Sequence, residues 1–72
     1  MGKIIMEFAE ALTKARISKR MNKTQVANYF GWTPMYYARY ENGQLRPTKV
    51  NYKKFADFIG ISVDELIELI EK

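Results

Sequence analysis

An all-α fold of five short helices in a single domain, residues 1–72, is what this sequence predicts. Three observations lead there. Apolar residues recur with helical spacing, and nothing alternates with period two for long. Capping residues and helix-stopping glycines cut the chain at short, regular intervals. A chain of 72 residues with 47% apolar content suits one small helical core and no more.

The first helix is expected from about Ile5 to Arg20. Phe8, Leu12, Ala15 and Met21 form its apolar stripe, and Ala9, Lys14, Lys19 and Arg20 fall elsewhere around it. Asn22 opens the second helix, and with Gln25 three residues on, Asn-Lys-Thr-Gln fits a capping box. Val26, Ala27 and Phe30 face inward, and Gly31 stops the helix after about two turns. Trp32 sits in the turn. Thr33 caps the third helix, Pro34 suits its first position, and Asn42-Gly43 ends it. A short helix, a turn containing glycine and a second short helix form a helix-turn-helix. Pro47 bars a helix through the following loop, and Thr48 caps the fourth helix. There Val50, Tyr52, Phe55, Ala56 and Ile59 are expected mostly inward, before Gly60. Ser62-Val-Asp-Glu65 is a second capping box, opening a last helix from Val63 to about Ile70.

Composition narrows the function. With no Cys there is no disulfide, and with no His or Cys a zinc site is close to excluded. No cofactor is implied, and a His base, a Cys nucleophile and a Gly-rich phosphate loop are all missing, so the expectation is not an enzyme. No apolar run approaches a membrane span, MGKIIMEFAE does not read as a signal peptide, and the lack of cysteine makes a reducing cytoplasm the natural setting. Residues 1–50 hold nine Lys/Arg against three Asp/Glu, or +6; residues 51–72 hold three against five, or −2. A basic body with an acidic tail suggests a polyanion partner for the body, although a solubilising surface would look alike.

The series Arg16…Lys19…Met21-Asn-Lys-Thr-Gln-Val-Ala27…Phe30-Gly31-Trp32-Thr33…Arg39-Tyr40-Glu41-Asn42-Gly43…Arg46-Pro47-Thr48…Phe55-Ala56…Ile59-Gly60-Ile61-Ser62-Val-Asp-Glu-Leu66 resembles the Cro and phage-repressor class of helix-turn-helix domains. The likeness covers roughly residues 8–67. It implies a five-helix, lambda-repressor-like DNA-binding domain that meets double-stranded operator DNA as a homodimer, its third helix in the major groove. Three positions depart from the family pattern. Lys23 stands where Gln often touches phosphate. Pro34, Met35 and Tyr36 stand where small polar or amide residues often begin the third helix. Trp32 replaces the usual Val or Leu of the turn.

Tyr37 and Tyr40 share a face of the third helix and are expected in the core. Met35, Tyr36 and Arg39 cluster on the other side, as candidates for base contact. Arginine can grip a guanine edge with two hydrogen bonds, and Met35 and Tyr36 can pack on thymine methyls or sugars. The alternative is that Arg39 pairs with a surface acid and Tyr36 merely covers the bundle. The resemblance assigns Lys23, Thr33, Asn42, Gln44, Arg46 and Lys49 to phosphate contact, which fixes register without reading sequence. A solvated basic rim is the plainer reading of that set. The resemblance also makes Arg16 and Glu41 an ion pair joining the first helix to the end of the third, a structural role.

Leu66, Ile67, Leu69 and Ile70 present a choice in the last helix: some close the bundle, and the rest would form a dimer or partner surface. The expected function is therefore a sequence-specific transcriptional regulator of a phage lysis/lysogeny-type switch. The competing reading is a modulator of repression, an antirepressor acting by contact with a partner phage repressor.

Overall fold

The computed structural model describes residues 6–71. Five helices follow in order: α1 Met6–Ser18, α2 Lys23–Phe30, α3 Pro34–Glu41, α4 Lys49–Ile59 and α5 Val63–Glu71. No strand occurs among the described residues. Local chemistry accounts for most boundaries. Asn22 Oδ1 accepts the Gln25 N–H, and Gln25 Oε1 accepts the Asn22 N–H, both at 2.8 Å, so two otherwise unpaired donors at the start of α2 are satisfied together. Asn22→Ala is expected to cost about 1 kcal/mol and to lower Tm by about 4–8 °C in a thermal melt. Ser62 and Glu65 form the same reciprocal pair at the start of α5, at 3.0 Å each way. Thr33 Oγ1 accepts the Tyr36 N–H at the head of α3. Thr48 occupies the corresponding position of α4, but its hydroxyl makes no cap hydrogen bond.

Gly31 closes α2 at φ 82°, a left-handed conformation that costs glycine little. At the end of α3, Asn42 keeps a right-handed backbone and Gly43 makes the left-handed turn at φ 76°.

The first helix ends earlier than the sequence suggests. Its expected start, Ile5, lies outside the described residues. Its end comes at Ser18, because Arg20 takes a left-handed backbone, φ 59°, and the Met21 N–H reaches back to the Arg16 carbonyl. That is the usual glycine geometry carried by an arginine, so no glycine announces it.

One core lies at the centre of the helices. Phe8, Leu12, Val26, Ala27, Phe30, Tyr37, Tyr40, Phe55, Ala56, Phe58, Leu66 and Ile70 are buried in it. Two expectations about facing are corrected, and one core residue is added. Ala9 is buried, because α1 turns a second face toward the end of α3, where Ala9 and Thr13 line a shallow groove with Glu41. Val50 is 83% exposed: it sits two residues before Tyr52, about 200° around the helix. Phe58 is buried instead, one turn beyond Phe55 on the edge of the same stripe. No helix among the described residues is long and apolar enough to cross a membrane.

Candidate nucleic-acid interface

The two short helices are held by aromatic packing in the turn between them. The Trp32 N–H donates to the Ala27 carbonyl at 2.8 Å, which folds the turn against α2. The indole then stacks on Phe30, with centroids 4.8 Å apart, and on Tyr40 of α3, at 5.3 Å. The enlarged turn residue thus bridges α2 to α3 directly. Tyr37 and Tyr40 point into the core, both buried. Burial pushes both hydroxyls above their ordinary value of 10, with Glu41 adding to the effect at Tyr37 and Tyr36 at Tyr40.

With those two tyrosines inward, the helical period turns Met35, Tyr36 and Arg39 outward. Met35 is 72% exposed and Tyr36 is 38% exposed. Arg39 is exposed and, among the described residues, makes no side-chain hydrogen bond or ion pair. Tyr36, although exposed, is held by contacts at both its hydroxyl and its ring. Its hydroxyl shares a 2.9 Å hydrogen bond with the Tyr40 hydroxyl, and its ring meets Trp32 and Tyr40 edge-on, at 5.1 and 5.4 Å.

The residues assigned to phosphate contact are all exposed: Lys23 at the opening of α2, Thr33 at the cap of α3, Asn42, Gln44 and Arg46 in the loop after α3, and Lys49 at the opening of α4. That loop is tied to α3. The Gln44 and Leu45 N–H groups both donate to the Arg39 carbonyl, at 2.9 and 3.3 Å, and Leu45 and buried Pro47 anchor its far end. Polar side chains on the loop are therefore carried on a fixed backbone beside Arg39.

Arg16 and Glu41 meet behind the third helix. Arg16 Nε donates to Glu41 Oε2 at 2.6 Å, one terminal nitrogen approaches Oε1 at 3.4 Å, and the other donates to the Met21 carbonyl at 3.1 Å. The Tyr37 hydroxyl donates to the same carboxylate. The side chains are only 17% and 4% exposed. Burial alone would raise the Glu41 carboxyl, but the Arg16 guanidinium and the Tyr37 hydroxyl outweigh it and hold the group below its ordinary value of 4.5. The part of Tyr37 in this cluster was not legible from its core role, although its spacing of four from Glu41 on one helix permits the contact.

In α5, Leu66 and Ile70 are buried and close the bundle, which removes them from the candidate partner surface. They lie four apart and share the inward stripe. Leu69 is half-buried against the core, and Ile67 is half-buried outside it.

A family profile described as Helix-turn-helix matches residues 12–66, from the middle of α1 into α5. The chain belongs to the helix-turn-helix family. Within it, the chain is similar to a protein of Bacillus subtilis named as an SPbeta prophage-derived uncharacterized transcriptional regulator, with 33% identity over 61 residues. It is also similar to a protein of Vibrio cholerae named as the cryptic phage CTXphi transcriptional repressor RstR, with 41% identity over 63 residues. In each case 85% of the chain aligns with 56% and 54% of the relative, respectively, so the chain spans about half the length of the curated relatives it matches. Its likeness is to the phage-repressor kind of helix-turn-helix domain, and the geometry agrees: the matched segment contains α2, the Trp32 turn and α3 in full.

Proposed function

We propose that this helix-turn-helix chain binds double-stranded operator DNA and regulates transcription, with α3 in the major groove, in a phage lysis/lysogeny-type switch. The observation that carries the reading is the division of α3: Tyr37 and Tyr40 fill the core while Arg39, unpaired among the described residues, stands outward beside Met35 and Tyr36. An unpaired arginine is free to make a bidentate contact to guanine. Exposed Lys23, Arg46 and Lys49, with Thr33, Asn42 and Gln44, supply groups for phosphate. The printed names of the two relatives support a regulatory role. Operator half-sites about 34 Å apart would call for a dimer, and Ile67 with Leu69 is the apolar surface left on α5 to make one. Such a role would place the chain in the cytoplasm of the host cell.

The test is a gel-shift titration of the purified protein on intergenic DNA beside its own gene, repeated across salt concentrations. Affinity should fall steeply with salt. Arg39→Ala should lose about 1–3 kcal/mol of discrimination at one base pair while its thermal melt is unchanged. Lys49→Ala should weaken all sequences alike and lower the salt slope by about one. Equal binding of Arg39→Ala and the parent to every sequence would refute the base-reading role.

One observation favours a second reading, modulation of a partner phage repressor by protein contact: Met35 places an apolar side chain, 72% exposed, at the front of α3. In that case the purified protein alone would give no specific shift, a neighbouring repressor would co-purify with it, and Met35→Asp would break the complex.

A further inference from the structure

We infer that the leading end of α3 reads the C5-methyl group of pyrimidines, so that the operator carries thymine or 5-methylcytosine within about two base-pair steps of the guanine met by Arg39. The inference rests on the DNA-binding reading above and adds to it the chemical class of base that is selected. Its basis is the way the polar groups at this end are already engaged. Thr33 Oγ1 accepts the Tyr36 N–H, and Pro34 has no N–H to offer. The Tyr36 hydroxyl is bound to that of buried Tyr40, and the Tyr36 ring is wedged edge-on against Trp32 and Tyr40. Swinging Tyr36 toward a phosphate would break that bond and pull its ring from Trp32 and Tyr40. With the Thr33 hydroxyl, its proton still free to donate, left to phosphate, what the end of the helix can present to a base edge is the thioether chain of Met35 and the outer face of the Tyr36 ring, with no side-chain amide.

In the major groove, adenine, cytosine and guanine show donors and acceptors, while the apolar feature is the C5-methyl of thymine. Cytosine gains the same methyl when it is methylated at C5. An apolar helix end gains nothing from a polar base edge and gains from a methyl carbon. Arg39 follows Met35 by four residues, about 6 Å along the axis, or about two base-pair steps. The methyl and the guanine should therefore lie within about two steps of each other in one half-site.

The test begins with selection of bound sequences from a random duplex library, followed by titration of short synthetic duplexes of the selected site. At the methyl position, thymine replaced by uracil should weaken binding about four-fold, the yield of burying one methyl carbon. Cytosine replaced by 5-methylcytosine at that position should tighten binding by the same factor. Met35→Ala, at an exposed position with no packing role, should fold normally by circular dichroism and bind thymine and uracil duplexes with nearly equal affinity, while keeping the guanine preference. Equal affinity of the parent protein for thymine and uracil at every position of a selected site would overturn the inference and leave DNA binding standing. A methyl effect that persists undiminished in Met35→Ala and in Tyr36→Ala would overturn it as well. Failure to select any sequence would overturn both this inference and the function it rests on.

Discussion

Phe55→Ala is expected to remove most of the stability of this fold at 25 °C. The Phe55 ring is fully buried and stands where four others converge: Phe8 of α1 at 5.0 Å, Phe30 of α2 at 5.2 Å, Trp32 of the turn at 5.7 Å and Tyr40 of α3 at 5.0 Å. The contacts with Phe8 and Tyr40 are edge-to-face, the arrangement that suits aromatic quadrupoles. Truncation removes the transfer energy of the ring and leaves a cavity bordered by rigid aromatics that cannot collapse into it, a loss of about 3–5 kcal/mol. A domain of this size sits near the low end of the usual ~5–15 kcal/mol of total stability. Thermal and urea denaturation followed by far-ultraviolet circular dichroism should show Tm lower by at least about 12 °C. Val50→Ala, on the same helix but almost wholly exposed, should change stability by less than about 0.5 kcal/mol. A Phe55→Ala protein as stable as Val50→Ala would mean that the aromatic cluster does not hold these helices together.

What could be read from the sequence follows from the range of the interactions. Caps and turns are decided within four residues, so Asn22 with Gln25, Thr33 with Pro34, and Ser62 with Glu65 mark the starts of α2, α3 and α5 without reference to the rest of the chain. The inward direction of Tyr37 and Tyr40 is legible for the same reason: a spacing of three puts them on one face, and the apolar turn beside them identifies which face. Facing errors arise where the neighbour, not the period, decides. Ala9 is buried because the end of α3 lies against α1 there, and Val50 is exposed because no described residue covers the start of α4 on that side. Leu66 and Ile70 could not be separated from Ile67 and Leu69 until α1 and α4 were in place against α5. For the site, the outward direction of Met35, Tyr36 and Arg39 follows from the period of α3. The tie between the Tyr36 and Tyr40 hydroxyls does not, because it depends on how deeply Trp32 seats Tyr40.

Glu41→Ala is expected to destabilise the protein by about 3–5 kcal/mol, the range for removing one partner of a buried pair. The carboxylate collects Arg16 from α1 and Tyr37 from its own helix, so its loss leaves a guanidinium only 17% exposed and a buried phenol without their acceptor. Arg16→Met combined with Glu41→Leu should cost clearly less than the sum of the single changes, because neither partner is then left uncompensated. The pH profile separates the charge from the packing. Glu41 is held below its unfolded value of 4.5 in the folded protein, so the folded state binds its proton less readily than the unfolded chain does. Its contribution is complete above about pH 4.5 and is lost as pH falls through the depressed folded value. Stability measured by urea titration should therefore decline through the acid range in the parent, and decline less steeply in Glu41→Gln, which cannot ionise. At the alkaline end the sign reverses. Tyr37 and Tyr40 are held protonated above their ordinary value of 10, so stability should fall as pH rises beyond about 10, and Tyr37→Phe should lessen that fall. An acid slope unchanged in Glu41→Gln would assign the low-pH loss to other carboxylates and leave the Arg16–Glu41 contact as packing alone.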